Sequence, residues 1–466
     1  MRVPELQNPK TPGRSRILWA VILLAVTARI ALAFYEGNEV TALPGVADQI
    51  SYHRLSVRVM EGHGFNFGVG WWPATPAGEP TAHWSYLYVL FLAAVYFVFG
   101  PNPIAARLIQ AVLVGILQPL LTWRIGRRLF GPRIGIISAV FSAFYAYFVY
   151  YGGTLMTEAF YIVSILWIFD IATIMVCKTT GRFSAQRRIS WVLLGLAFGF
   201  TVLLRQVFLL LVPVILLWLA WKLFFRSRVF SLPQMLERSA ISFAVLLACI
   251  APWTIRNYKV FNSFVLLNTN AGFAFFWGNH PVHGTEFVPI MPSKEYGALI
   301  PKELRSLNEA AMDKALLFRG LDFVRENPLR YIRLSASRVK EYIRFWPSGD
   351  SGTIKNSVRF LSFGLFLPLF VAGLCLLAFT YSRKNKTGRI SLQPGTSLLL
   401  ITGGLYTFIH LMTWTLIRYR LPVDAAFMPF AAVGTVACYD FLRKHMARSI
   451  PKRPKRTKTV QFTISN

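Results

Sequence analysis

Apolar runs and short basic stretches alternate along almost the whole chain. Runs that approach or exceed the roughly 17–25 residues needed to cross a hydrocarbon core begin at Ile17 to Tyr35 and recur as far as Phe441. They predict spans near 17–35, 105–123, 134–151, 158–177, 190–204, 206–224, 238–255, 357–380, 396–417 and 421–441, about ten in all. The first run lacks a small-residue cleavage site and further spans follow it, so it reads as a span and not as a cleaved signal. The expectation is an all-α polytopic membrane protein.

Loop charge orients these spans. Arg2, Lys10, Arg14 and Arg16 hold the segment 1–16 in the cytoplasm, which sends the first span outward and leaves Glu36 to His83 outside. The apolar stretch Trp84 to Phe99 is short and rich in Trp and Tyr. If it crossed the bilayer, Arg124, Arg127, Arg128 and Arg133 would face outward, so it is expected to lie in the outer interface. The basic stretches Lys178 to Arg188, Lys222 to Arg238, Arg383 to Arg389 and Arg443 to Lys458 then all fall inside. Both termini are expected in the cytoplasm, the tail 443–466 as a basic, lipid-contacting segment.

Two hydrophilic regions remain outside. The first lies within a loop 36–104 of the transmembrane module 17–256, and the second is 257–356, followed by the C-terminal spans of 357–442. In the second, Glu303 to Phe323 and Leu329 to Trp346 carry helical patterns divided by Asn327-Pro328, which predicts a small helical subdomain. No fixed-period internal repeat is evident, which counts against an inverted-repeat transporter.

Composition fits this picture. Of the 466 residues, 55% are hydrophobic and 15% charged, and the formal net charge is +30. In a soluble chain that charge would suggest nucleic acid, but the cations sit between apolar runs, as cytoplasmic loops beside anionic lipid do, so no nucleic-acid partner is expected. The cysteines Cys177, Cys249, Cys375 and Cys438 lie in or beside apolar runs without metal-type spacing. Nucleotide-loop, serine-hydrolase and zinc-protease signatures do not occur.

Chemistry is sought among outward-facing charges, which the membrane makes costly and the charge rule makes unusual. Asp48 opens a short amphipathic pattern and serves either as a helix cap or as a general base at the membrane surface. Glu158 follows Thr157 at an outer turn, either in a capped first turn or facing the same cavity as Asp48 to orient an acceptor or a metal. Arg205, Arg256 with Asn257, and Arg418 with Arg420 mark the outer ends of spans. Arginines there either snorkel or grip phosphate, for which the guanidinium fork is suited. His53, His63, His83, His280 and His283 are also outside, and His-Pro-Val-His is a weak metal signal.

These residues sit in a series of short motifs: Ala47-Asp48-Gln49-Ile50-Ser51-Tyr52 leading to Glu61-Gly62-His63-Gly64-Phe65, Gly126-Arg127-Arg128-Leu129-Phe130-Gly131, Leu155-Met156-Thr157-Glu158, Leu203-Leu204-Arg205, Pro252-Trp253-Thr254-Ile255-Arg256-Asn257-Tyr258, Gly278-Asn279, and Arg418-Tyr419-Arg420-Leu421-Pro422. In order and spacing the chain resembles the GT-C glycosyltransferases of family 39, relatives of protein O-mannosyltransferases and lipid A aminoarabinose transferases. The resemblance implies a GT-C fold with juxtamembrane helices in the first external loop, one of them Trp84 to Phe99. It also implies Asp48 as catalytic base and Glu158 as a second acidic residue near the acceptor. Gln49 stands where the family usually has an acid, and Trp84-Ser85 where it has prolines, which leaves the acceptor and any divalent metal ion open.

The expected reaction is an inverting transfer from a polyprenyl-phosphate sugar to a hydroxyl on a glycan, lipid or protein, at the outer face of the plasma membrane. Arg205, Arg256 and Arg418 would meet the departing phosphate, with Asn257 and Arg420 positioning them or the sugar. A transporter or flippase of a lipid-linked or anionic substrate is the principal rival, and would carry ionisable residues near the bilayer centre. A noncatalytic assembly subunit is the third reading.

Overall fold

A computed structural model describes residues 12–43, 46–177, 184–347, 349, 352–385 and 394–449. Most of the expected cytoplasmic segment 1–16, of the basic stretches Lys178 to Arg188 and Arg383 to Arg389, and of the C-terminal tail therefore lies outside the described residues.

The chain is α-helical, with no β-strand among the described residues. Helix α1 (Pro12–Glu36) is followed by α2 (Asp48–Met60), α3 (Tyr86–Phe99) and α4 (Pro103–Phe130). Next come α5 (Pro132–Phe144), α6 (Ala146–Gly153), α7 (Glu158–Cys177), α8 (Arg188–Leu204), α9 (Val212–Ala220) and α10 (Leu232–Phe261). The second external region contributes α11 (Ala271–Asn279), α12 (Ser293–Leu299), α13 (Glu309–Glu326) and α14 (Pro328–Tyr342). The chain ends with α15 (Thr353–Arg359), α16 (Leu365–Asn385), α17 (Pro394–Met412) and α18 (Leu421–Ser449).

By length and composition, eight helical segments among the described residues can cross a membrane, and nine if the bent pair α5 and α6 counts as one span. Adding the shorter apolar helix α8 accounts for each of the ten expected spans. Helix α3, 14 residues long, is too short for a straight crossing.

Two spans depart from simple helices for identifiable reasons. The expected span 134–151 is broken at Tyr145, where α5 and α6 meet at 52°. The break frees carbonyls at the end of α5. Arg29, buried in α1, answers them: Nη1 donates to Ala143 O (3.1 Å) and Nη2 to Ser142 O (3.4 Å). The expected span 206–224 opens as a 3₁₀ turn, Gln206–Leu211, because Pro213 lacks an N–H and disfavours helical backbone before it.

Helix packing uses close backbone approach, as it must where lipid supplies no hydrophobic drive between helices. A Cβ on Gly373 would lie 2.0 Å from Phe430 O, and one on Gly434 would lie 2.3 Å from Leu369 O, so α16 and α18 touch through glycine. In the external region the predicted division holds: Asn327 accepts from Arg330 N and Pro328 opens α14. Helix α13 starts six residues later than the pattern suggested, because Asn308 caps it by accepting from Ala311 N at 2.9 Å.

Candidate active site

Helix α2 buries Tyr52, Leu55 and Ser56 against α3, where the Tyr52 ring meets Trp84 and Tyr88 edge-on at 5.5 and 5.0 Å. That packing fixes the first helical residue, Asp48. Ala47 occupies the cap position, so the Asp48 carboxylate is not used as a cap. Gln49 is fully buried; its Nε2 donates to Thr41 O (2.5 Å) and its Oε1 accepts from Leu155 N (3.4 Å). The residue that departs from the family pattern thus joins the first external loop to the turn before Glu158. Gln110 of α4 pins the same turn by donating to Tyr151 O, Gly152 O and Thr154 O, while accepting from Tyr88 OH at 2.9 Å.

Around this frame four charged side chains from distant segments meet. Arg418, in the 3₁₀ turn Ile417–Arg420, places Nη1 2.6 Å from Asp48 Oδ2 and 3.5 Å from Glu158 Oε1. Arg205, where α8 ends in extended backbone, places Nη2 2.5 Å from the same Glu158 oxygen and Nε 3.2 Å from Thr157 Oγ1. Side-chain exposure falls from Asp48 (22%) through Arg205 (17%) and Arg418 (10%) to Glu158 (2%). Asp48 therefore stands at the open end and Glu158 at the closed end. The Tyr419 ring lies between the cations, its centroid 5.3 Å from Arg205 Cζ and 5.4 Å from Arg418 Cζ, and His410 stacks on it at 4.7 Å.

The charges balance: two carboxylates and two guanidiniums. Burial works most strongly on the Arg205 guanidinium and lowers it, but Glu158 together with Tyr406 and Tyr419 holds the group above its ordinary value. Burial, reinforced by Asp48, raises the Tyr52 phenol, which stays neutral beside the site.

Three of the sequence candidates lie elsewhere. Arg256 donates to Thr81 O (2.9 Å), Phe65 O (3.3 Å) and Asn257 Oδ1 (3.1 Å). Asn257 is fully buried, accepting from Tyr86 OH (2.7 Å) and donating to Val265 O and Leu267 O. Arg420 pairs with Asp424 at 3.2 Å, donates to Tyr342 O and covers the Phe363 ring at 3.5 Å. These bonds tie α10 to the external loops and α18 to α14, and none of them reaches the cluster. Of the five residues expected to meet the donor, Arg205 and Arg418 join the cluster and the other three do not.

Three of the five candidate histidines, His83, His280 and His283, are likewise held in the scaffold. His83 Nδ1 lies 3.2 Å from Thr269 O, and His283 Nε2 lies 2.8 Å from Trp277 O. His280 Nδ1 accepts from Val282 N, and burial, then His283 and two arginines, push its imidazole down to about 4. Among the described residues no three His, Cys, Asp or Glu side chains converge to hold a metal ion. Asp48 and Glu158 share Arg418 instead.

Sequence reading missed Tyr419 as a shared floor and Glu309 as a lock. Glu309 Oε2 accepts from Thr75 Oγ1 (2.8 Å), and Oε1 accepts from Ala82 N (2.7 Å) and Thr269 Oγ1, which joins the two external regions. It also missed the charges inside the spans. Asp170 of α7 pairs with Arg124 (2.9 Å) and Arg128 (2.8 Å), far along α4 from the cluster, and Arg29 serves the broken span.

The model of the dolichyl-phosphate-mannose-protein mannosyltransferase family matches residues 84–255, which include Glu158 and Arg205 but not Asp48 or Arg418. No protein of curated function matches the chain by sequence. Among solved structures, the apo oligosaccharyltransferase of Archaeoglobus fulgidus is 17% identical with a TM-score of 0.59, covering 96% of this chain and 53% of its own. The oligosaccharyltransferase AglB from the same organism, in complex with an inhibitory peptide and a dolichol-phosphate, is 15% identical with a TM-score of 0.57 and the same coverage. ArnT from Cupriavidus metallidurans, bound to undecaprenyl phosphate, overlays with a TM-score of 0.41 at 15% identity, covering 96% of this chain and 82% of its own, and adds no weight. The chain spans about half the length of the oligosaccharyltransferases it matches. Its helical architecture and the family match over its transmembrane core make it a polytopic membrane protein of the GT-C glycosyltransferase fold.

Proposed function

We propose that the chain is an inverting glycosyltransferase that moves a sugar from a polyprenyl-phosphate carrier to a hydroxyl group on a glycan, lipid or protein. The observation that carries this reading is the chain of contacts Asp48, Arg418, Glu158, Arg205 at one end of the bundle. Loop charge supports putting that end outside, because Arg124 and Arg128 lie 14 or more residues beyond Gln110 on α4, roughly 21 Å along the helix. The same rule supports cytoplasmic termini.

The chemistry follows from the charges. Asp48 takes the proton of the acceptor hydroxyl as its oxygen attacks the anomeric carbon. The bond from that carbon to the phosphate oxygen breaks on the opposite face, and the carrier leaves as a phosphate with one more negative charge than the diester had. Because that charge develops only during the reaction, fixed cations beside it favour the transition state over the ground state. Arg205, held by Glu158 and Thr157, is the rigid cation. Arg418 is the shared one: turning from Asp48 toward the phosphate frees the base as it stabilises the leaving group. One base and two cations suffice, without the acid and base carboxylate pair of most glycosidases.

The test incubates membranes bearing wild type or Asp48→Asn with labelled polyprenyl-phosphate sugars and a pool of hydroxyl acceptors. Transfer by wild type and none by the variant is expected. Transfer that survives the substitution would overturn Asp48 as base, and transbilayer lipid movement without transfer would point to a transporter.

A further inference from the structure

The side of α2 left over by its buried residues carries His53, Arg54, Val57 and Arg58, and these line an open groove of about 280 Å³ together with Phe67, Gly68 and Val69. It is separate from the Asp48 cluster and plays no part in the transfer described above. Arg54 lies over the Trp71 ring, Cζ 4.6 Å from its centroid, and Trp71 is itself fixed by donating Nε1–H to Ser51 Oγ at 2.9 Å. Arg58 is held by Asn66 Oδ1, 2.7 Å from Nη2 and 3.2 Å from Nε. Neither arginine pairs with a carboxylate among the described residues. Two guanidiniums four residues apart on one helix face are neighbours, both oriented by the scaffold and both without a counter-ion.

The surroundings say what kind of anion fits. His53 holds Tyr96 OH through Nδ1 at 2.9 Å, which binds the cavity to the end of α3. There Phe97, Val98 and Phe99 are 81%, 70% and 56% exposed, an apolar tip that belongs in acyl chains. The cations beside such a tip stand at headgroup level. A second cavity of about 380 Å³ shares His53 and is lined by Asn102, whose buried Oδ1 accepts no hydrogen bond. Burial, aided by Arg107 and Arg54, pushes the His53 imidazole down, so it is neutral and lets the two arginines set the charge of the groove.

We propose that this groove is a headgroup site for an anionic phospholipid of the outer leaflet: Arg54 and Arg58 hold its phosphodiester, and the adjoining cavity takes a hydroxyl-bearing headgroup such as glycerol. Guanidinium forks match the two free oxygens of a phosphodiester, and the acyl chains run along α3. The site would anchor α2, and with it Asp48, to the membrane surface.

The test uses the full chain in nanodiscs of phosphatidylcholine doped with phosphatidylglycerol, with retained lipid counted by native mass spectrometry. Wild type is expected to retain phosphatidylglycerol over phosphatidylcholine. Arg54→Gln/Arg58→Gln is expected to bind it about 30-fold more weakly, from two cations each worth a little over a factor of five near an anionic surface. Arg54→Lys/Arg58→Lys, which keeps the charge, is expected to hold most of the preference, and matched melting curves for both variants show that the fold is intact. Equal retention by wild type and the glutamine variant overturns the proposal. Displacement of the lipid by soluble glycerol phosphate overturns the lipid assignment in favour of a free phosphate ligand.

Discussion

Replacing Arg418 by Gln tests the core of the mechanism, because among the described residues it alone touches both carboxylates. The substitution takes the cluster from neutral to a net charge of −1. A donor phosphodiester held about 5 Å from that uncompensated charge is repelled by about 3 kcal/mol at an effective dielectric near 20. The charge that develops on the leaving phosphate also loses a preorganised donor, and removing one such donor from an oxyanion site costs about 2.7–4 kcal/mol, or roughly 10²–10³ in kcat. Arg418→Gln is therefore expected to lower kcat by about that factor and to raise KM for the lipid donor as well. The assay is transfer of labelled sugar in proteoliposomes, run beside direct binding of the donor. Asp48→Asn is the counterpart: it leaves the cluster at +1, so donor binding is kept or tightened while transfer falls. A near wild-type kcat in Arg418→Gln, or parallel loss of donor binding in Asp48→Asn, would refute the reasoning.

Other outcomes follow from single contacts. Tyr419→Ala removes the ring shared by Arg205 and Arg418 and should slow transfer about tenfold, whereas Tyr419→Phe keeps the aromatic face and should be nearly silent in the same assay. Glu309→Gln turns an amide N–H toward groups that donate to the carboxylate, costing about 3 kcal/mol of stability, read as a lowered melting temperature. Gly373→Leu pushes a side chain into Phe430 O and should cost at least about 1–3 kcal/mol, seen as loss of monodisperse protein on size exclusion. Burial raises the Asp313 carboxyl from 3.8 to about 7, despite the Phe273 N–H it accepts. Its folded value lies above its unfolded one, so its contribution to stability is complete below 3.8 and lost as pH rises through about 7. Asp313→Asn should flatten that part of the melting profile.

Much of the fold is legible in the sequence because a bilayer imposes a length on every apolar run and a sign on every short loop. Those two rules alone predicted the spans, an α3 set apart from them, and a common end for Asp48, Glu158, Arg205 and Arg418. They rank residues by side of the membrane, and so could not tell which outward arginines meet. Arg256 and Arg420 carry the same local signal as Arg205 and Arg418, yet their hydrogen bonds go to carbonyls and to Asp424. What separates them is where α8, α10, α17 and α18 end relative to α2, and that depends on how packed helices cross.

The break at Tyr145 and the Glu309 lock were hidden for a related reason. Each satisfies polar groups more than a hundred residues away in sequence, Arg29 for the carbonyls of α5 and Glu309 for the loop at Thr75 and Ala82. Hydropathy and loop charge are local properties, so the sequence by itself determined the class of the protein and its spans, and gave the expectation that the candidate chemistry shares one membrane face. Only the tertiary structure decided which four charges form one site, since pairing across 370 residues, as between Asp48 and Arg418, is set by the geometry of the bundle and leaves no local mark.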